Sequence, residues 1–137
     1  MADCILFNEG ATSIWNTGLP STLEWALSTK PCSGAGSHVV GDTHAGGFGE
    51  ITGTGYARIA ATEPTAVNRV LTFALASWNT GAATNWPASV KSIVLIDSSA
   101  SKKIIGAVNL QAGGAARDLS AAGTTENVTP TLTMAGA

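Results

Sequence analysis

The side chains with ligand or acid–base chemistry gather in one glycine-rich stretch. His38, Asp42 and His44 follow one another closely, and Glu50 lies just beyond. Two imidazoles six positions apart around a carboxylate could supply three ligands to zinc or another divalent ion. The chain has no HExxH helix and no second His or Cys pair at ligand spacing. The sequence therefore assigns no metal and no cofactor, and reads His38, Asp42 and His44 as exposed loop residues. Nucleophilic catalysis needs a serine or cysteine beside a positioned base, yet no Gly-x-Ser-x-Gly elbow occurs and both histidines sit in one loop. The nine acids are scattered singly, so Glu24 and Glu50 do not stand out as a glycosidase pair. The run Gly46–Gly55 lacks the Lys-Ser or Lys-Thr of a phosphate loop. The expectation is a protein that is not an enzyme.

The tryptophans offer recognition in place of catalysis. Trp25 lies on the apolar side of an alternating segment and reads as core. Trp78 and Trp86 flank the polar run Asn79–Asn85, a composition that suits sugar stacking or a subunit contact. Pro87 and the apolar segment after it favour packing or an interface over a ligand platform. Trp15, Trp78, Asn79, Asn85 and Trp86 are thus the candidate interface or ligand surface, with a host glycan as the ligand in the second reading.

These residues hang on short β segments. In 22–29, Leu23, Trp25 and Leu27 alternate with Glu24, Ala26 and Ser28, the period of a half-buried strand. Lys30-Pro31 ends it, since proline donates no ladder hydrogen bond. Residues 32–49 read as a long Gly-rich surface loop. Further strands are expected at 56–62 and at 70–75, where Leu71, Phe73 and Leu75 share a face. Another is expected at 90–96, with Val90, Val94 and Ile96 opposite Ile93 and Leu95. The polar run Asp97–Ser101 then turns the chain into a hairpin with 102–110. A last strand is expected at 128–134, where Pro130 demands an edge or a bulge. Residues 1–18 read as an irregular arm or a short helix within Asp3–Trp15, weakened by Gly10 and Thr12. The fold class is all-β: a single β-sandwich or small barrel-like domain spanning 1–137.

Composition narrows the function classes. Ala 23, Thr 17, Gly 16 and Ser 12 make up half of the 137 residues, while only 12% are charged. A net charge of −2 gives no basic face for nucleic acid. No apolar run approaches the ~18 residues of a membrane span, and Met1–Phe7 has no basic region of a secretory signal. Cys4 and Cys32 have no CxxC spacing and read as reduced, packed thiols. Small neutral side chains lose little rotamer entropy and little hydration when a surface is covered, which suits a protein packed against neighbours.

The order of segments carries a resemblance. Leu23-Glu-Trp-Ala-Leu-Ser-Thr29 is followed by Glu50-Ile-Thr-Gly-Thr-Gly-Tyr-Ala-Arg58, then Asn85-Trp-Pro87, Ile93-Val-Leu-Ile-Asp97 and Ile104-Ile-Gly-Ala-Val-Asn-Leu110. From about Thr22 onward this resembles small β-rich structural proteins of tailed bacteriophages, the tail-fibre-like, minor virion and head decoration proteins. The resemblance implies a virion protein made in the bacterial host cytoplasm, with no catalytic residues. Its expected partners are the major capsid protein or other virion proteins and further copies of itself, a trimer being favoured. A capsid decoration or cement role is the expectation, with a tail or fibre location, or a host-carbohydrate module, as alternatives.

Overall fold

The computed structural model describes residues 4–6, 23–39, 47–62, 64–67, 70–98 and 104–133. Its strands are β1 (Cys4–Leu6), β2 (Leu23–Ser28), β3 (Ile59–Ala60), β4 (Thr65–Val67), β5 (Val70–Thr72), β6 (Ala76–Asn79), β7 (Ser92–Asp97), β8 (Ile104–Asn109), β9 (Thr125–Val128) and β10 (Thr131–Thr133), with a 3-10 turn at Ala112–Gly114. Every pairing is antiparallel. One sheet has the order β1-β8-β7-β2-β3; facing it are β10-β5-β4 and the pair β6-β9. The end strands of the large sheet do not pair with each other, so the molecule is an open sandwich and not a closed barrel.

The large sheet is central because β2, β7 and β8 are apolar on both faces. Trp25 stands opposite Leu95, and Leu27 opposite Ile93, which in turn faces Val108. These side chains pack against Leu71, Phe73, Trp78 and Leu132 of the second layer, forming the main core. Trp25 and Phe73 meet edge to face with ring centroids 5.0 Å apart. On the reverse face Ala26, Val94, Ile96, Ile104 and Ala107 form a smaller cluster with Cys32 and Phe48.

Several expected elements take another form. Residues 4–6, within the arm expected as irregular or helical, are a strand on β8; the rest of 1–18, including Trp15, lies outside the described residues. The strand expected at 56–62 is reduced to Ile59–Ala60, because Tyr56 and Arg58 are drawn into side-chain bonds with Glu50. Leu75 is not on the buried face with Leu71 and Phe73 but is 60% exposed. Between Phe73 and Ala76 the chain gains a residue, so Ala76 and Trp78 now point inward. The interruption lies opposite Pro130, whose carbonyl accepts from the Phe73 N–H at 2.9 Å but which has no N–H to return. That proline also divides the expected 128–134 strand into β9 and β10, the latter at a sheet edge. Val90 pairs with Arg117 and packs with Ile93 and Leu95, not with Val94 and Ile96.

The described parts of the stretch 32–49, residues 32–39 and 47–49, form a loop with Ser33–Gly36, Val39 and Gly47 exposed. Residues 40–46, with Asp42 and His44, lie outside the described residues. Of the remainder, Cys32, His38 and Phe48 are buried against the reverse face. Glycine lets this loop bend freely, while Cys32, His38 and Phe48 fix it against the sheet.

Candidate functional site

Three places on the molecule concentrate functional groups. The first is the segment 50–58, which borders β2 where β3 stops. β3 pairs with β2 only at Ile59–Trp25 and Ala60–Glu24, so the backbone groups of Leu27 need other partners. The Leu27 carbonyl accepts from the Ile51 N–H at 3.1 Å, and the Leu27 N–H donates to the Tyr56 hydroxyl at 3.0 Å. Tyr56 thereby stands in for a missing strand. Its own O–H donates to Glu50 Oε1 at 3.1 Å. Arg58 completes the set as a two-pronged donor, Nε to Glu50 Oε1 at 2.8 Å and Nη2 to Oε2 at 2.7 Å, with Glu24 at 3.6 Å from Nη1. The guanidinium also lies 5.9 Å from the centroid of the Phe48 ring.

The electrostatics follow from that closure. Burial pushes the Tyr56 phenol far above its ordinary value, the Leu27 N–H opposes the shift, and the Glu50 carboxylate adds to it. The hydrogen bond to Glu50 raises the Arg58 guanidinium further, so it is cationic at any accessible pH. A shallow depression of about 400 Å³ opens beside these groups, lined by Glu50, Thr52, Gly53, Tyr56, Ala57 and Arg58. Both Glu50 oxygens are occupied by Tyr56 and Arg58, so the ionic groups at its wall hold one another.

The tryptophans on which the recognition reading rested serve this same segment. Trp78 and Trp86 are 4% and 3% exposed, so neither offers a free ring face. The Trp78 indole N–H donates to the Ala57 carbonyl at 3.1 Å, and that of Trp86 to the Thr54 carbonyl at 2.9 Å. Trp86 also meets Tyr56 edge to face at 5.6 Å. A Cβ at Gly53 would stand 2.3 Å from Trp86 Cδ1, so only glycine lets the backbone pass. Asn85 clamps Thr54 from the far side, Oδ1 accepting from its N–H and Nδ2 donating to its hydroxyl, each at 3.0 Å. Asn79 is exposed and shapes its own turn: Oδ1 accepts from the Gly81 N–H at 2.6 Å, and Nδ2 donates to the Thr125 hydroxyl. Trp78, Asn85 and Trp86 are brought together as anchors of 54–57, and Asn79 stands apart.

The second place is a polar stripe that sequence reasoning missed. Ser28, Ser92 and Asn109 are register neighbours across β2, β7 and β8, all on the reverse face and all buried. Ser28 donates to the Phe48 carbonyl at 2.5 Å and accepts from the Lys30 N–H at 3.0 Å. Asn109 Oδ1 accepts from the Cys32 N–H at 2.8 Å. His38 Nε2 lies 2.9 Å from Ser92 Oγ. A serine beside an imidazole suggests a nucleophile and its base. Here the Ser92 proton goes to the Lys30 carbonyl at 2.6 Å, so the histidine acts as donor and the hydroxyl is committed to the chain. His38 is 5% exposed, which corrects its reading as an exposed loop residue. The available signal was a polar residue at one end of each of three apolar strands, Ser28 and Asn109 at the close of β2 and β8 and Ser92 at the start of β7. Among the described residues no three His, Cys, Asp or Glu side chains gather where they could hold a metal ion.

The third place is the surface itself. Among the described residues Asp118 is the one charged residue exposed as a whole, while Glu24, Lys30, Glu50, Arg58, Lys91, Arg117 and Glu126 are half-buried, the Arg117 side chain being 43% exposed; the other exposed positions are Ala, Gly, Ser, Thr, Asn and Gln, with Val39 and Leu75. Asp118 is held below the usual carboxylate range by the Ser120 hydroxyl and N–H. Glu126 pairs with Arg117 at 2.7 Å. No helix of the described residues is long and apolar enough to cross a membrane. Compared with protein-family models, curated proteins and solved structures, the chain matches none.

Proposed function

We propose that this chain is a non-enzymatic structural protein of a tailed-bacteriophage particle, a decoration or cement protein carried in many copies on the capsid shell. The observation that carries the reading is that the exposed positions of the described residues are small and neutral, with Asp118 alone charged among them and the other charged residues half-buried or buried. A freely soluble domain normally devotes about 25–35% of its surface to charged side chains of both signs. Ala, Ser, Thr and Gly can be covered by a neighbour with little loss of rotamer entropy or hydration. The side chains with catalytic potential support the same reading, since Glu50, Tyr56, Arg58 and Ser92 are bound to one another or to the backbone. The partners are then the major capsid protein or another virion protein, and the site of action is the virion. Repetition on the shell would multiply weak single contacts by avidity.

Density-gradient fractionation of lysate from producing cells, probed with antibody to this chain, tests the proposal. Co-sedimentation with particles is the expected result, with gold labelling on heads in place of tails or fibres. Protein confined to the top of the gradient would overturn it.

A further inference from the structure

We infer that His38 is an acid-sensitive latch: when its imidazole takes a second proton, the loop segments that cover the reverse face of the large sheet open. The ring is buried, and it fastens the loop to the polar stripe. Its Nε2 lies 2.9 Å from Ser92 Oγ at the start of β7. That hydroxyl is committed to the Lys30 carbonyl, so Nε2 carries the hydrogen of the contact. The His38 N–H donates to the Pro31 carbonyl at 3.1 Å, which closes 31–38 on itself. On either side, the Cys32 N–H is held by Asn109 Oδ1 and the Phe48 carbonyl by the Ser28 hydroxyl. Of these fastenings only the imidazole changes its charge between pH 5 and pH 8.

Acid favours the open loop because a charged ring cannot keep its hydration in this place. Burying an imidazolium costs free energy that is recovered once the loop swings out and the ring meets water. The charged residues next to its partners are Lys30, whose carbonyl takes the Ser92 proton, and Lys91, which precedes Ser92; both are cations, and neither favours an imidazolium. Asn109 and the Cys32 thiol on the adjoining elements are neutral. Glu50, just beyond Phe48, has both carboxylate oxygens taken by Tyr56 and Arg58. Asp42 and His44 lie in 40–46, outside the described residues. The open state therefore binds one proton more than the closed state, and closure weakens as the pH falls. An exposed imidazole is half protonated near pH ~6.5. Closure is complete above that value, and the open population grows by up to about ten-fold for each pH unit below it. Opening bares Val94, Ile96, Ile104 and Ala107, an apolar surface that is otherwise sealed. The latch is a property of the chain alone and goes beyond the particle reading.

Hydrogen exchange of the purified full chain between about pH 7.5 and pH 5, corrected for the intrinsic pH dependence of exchange, tests the latch. Protection of the Cys32 and His38 amides should fall by roughly ten- to thirty-fold, while the β7 amides keep theirs. His38→Gln, whose carboxamide can donate to Ser92 without titrating, should show no such fall. His44→Gln and Asp42→Asn should respond as the parent does. Nuclear magnetic resonance of the His38 ring in the parent chain follows the proton directly and needs no variant. A ring that titrates while Cys32 keeps its protection, or protection that holds or rises toward pH 5, would overturn the latch. So would an acid response that survives in His38→Gln, or one that vanishes in His44→Gln or Asp42→Asn. Equal loss across the β7 amides would mean that acid unfolds the whole domain, and would overturn it as well.

Discussion

The two faces of the five-stranded sheet are covered by opposite means. One presents Trp25, Leu27, Ile93 and Leu95 and is covered by strands that bring Phe73, Trp78 and Leu132. The other presents Ala26, Val94 and Ala107 beside the stripe Ser28–Ser92–Asn109 and is covered by the loop segments around Cys32, His38 and Phe48. Large side chains bridge the ~10 Å between packed sheets and hold it by contact area alone. Small ones leave room only for chain lying close to the sheet. Such chain carries backbone groups that no ladder satisfies, and the polar stripe supplies partners for them. The cover chosen for a face thus follows from the size of the side chains that face it.

The sharpest way to break this comparison is Trp25→Ala. It empties the thickest part of the strand-covered face and should cost about 3–5 kcal/mol in urea unfolding. A loss below 1 kcal/mol would mean that packing is not what holds the second layer. Asn109→Ala probes the other face: it removes the acceptor of the Cys32 N–H and should cost about 1–3 kcal/mol. Hydrogen exchange separates the two mechanisms. In Asn109→Ala the Cys32 amide should lose protection while the β7 amides keep theirs; uniform loss across both would show that the cover and the sheet open as one.

The smallest expected effect belongs to the segment that borders both faces. Tyr56→Phe removes the acceptor for Leu27 N–H and the donor to Glu50, for about 1 kcal/mol at neutral pH. It also changes the alkaline limb. The folded phenol is raised above its unfolded value, so its contribution is complete below about pH 10 and is lost as the pH rises beyond it. The parent should lose stability more steeply than Tyr56→Phe above that point. Tyr56 is the single tyrosine, so tyrosinate absorbance should appear only as the chain unfolds. Ionisation near pH 10 with the fold intact would show that the Leu27–Tyr56–Glu50 chain does not form.

The sheet centre was legible in the sequence because its signal is local. Alternation in 22–29 and the polar turn after Asp97 are enough to set β2 and the β7–β8 hairpin. The phase of Leu75 was not, since it depends on Pro130 in a strand far along the chain. The candidate site was less legible still. Trp78 and Trp86 have the correct flanking polarity for a ligand surface, but their N–H groups reach carbonyls 21 and 32 positions away. His38 likewise looks solvated until Ser92, 54 positions later, is placed beneath it. Tyr56 and Arg58, two apart on extended chain, were the one readable hint that Glu50 has a fixed pair of donors.

The polar stripe also has a consequence in time. Its bonds to the cover join residues separated by 20, 54, 62 and 77 positions. Contacts of such high order cannot form before the strands that carry Ser28, Ser92 and Asn109 have found their register, because loop closure costs entropy that only aligned partners return. The pairing of β2 with β7 itself joins residues 64 to 74 positions apart, so the stripe is assembled by the same long-range event that aligns the sheet. Until that alignment is made Val94 and Ile96 lack both their partner strand and their cover, so one misaligned register would expose both faces of β7 together.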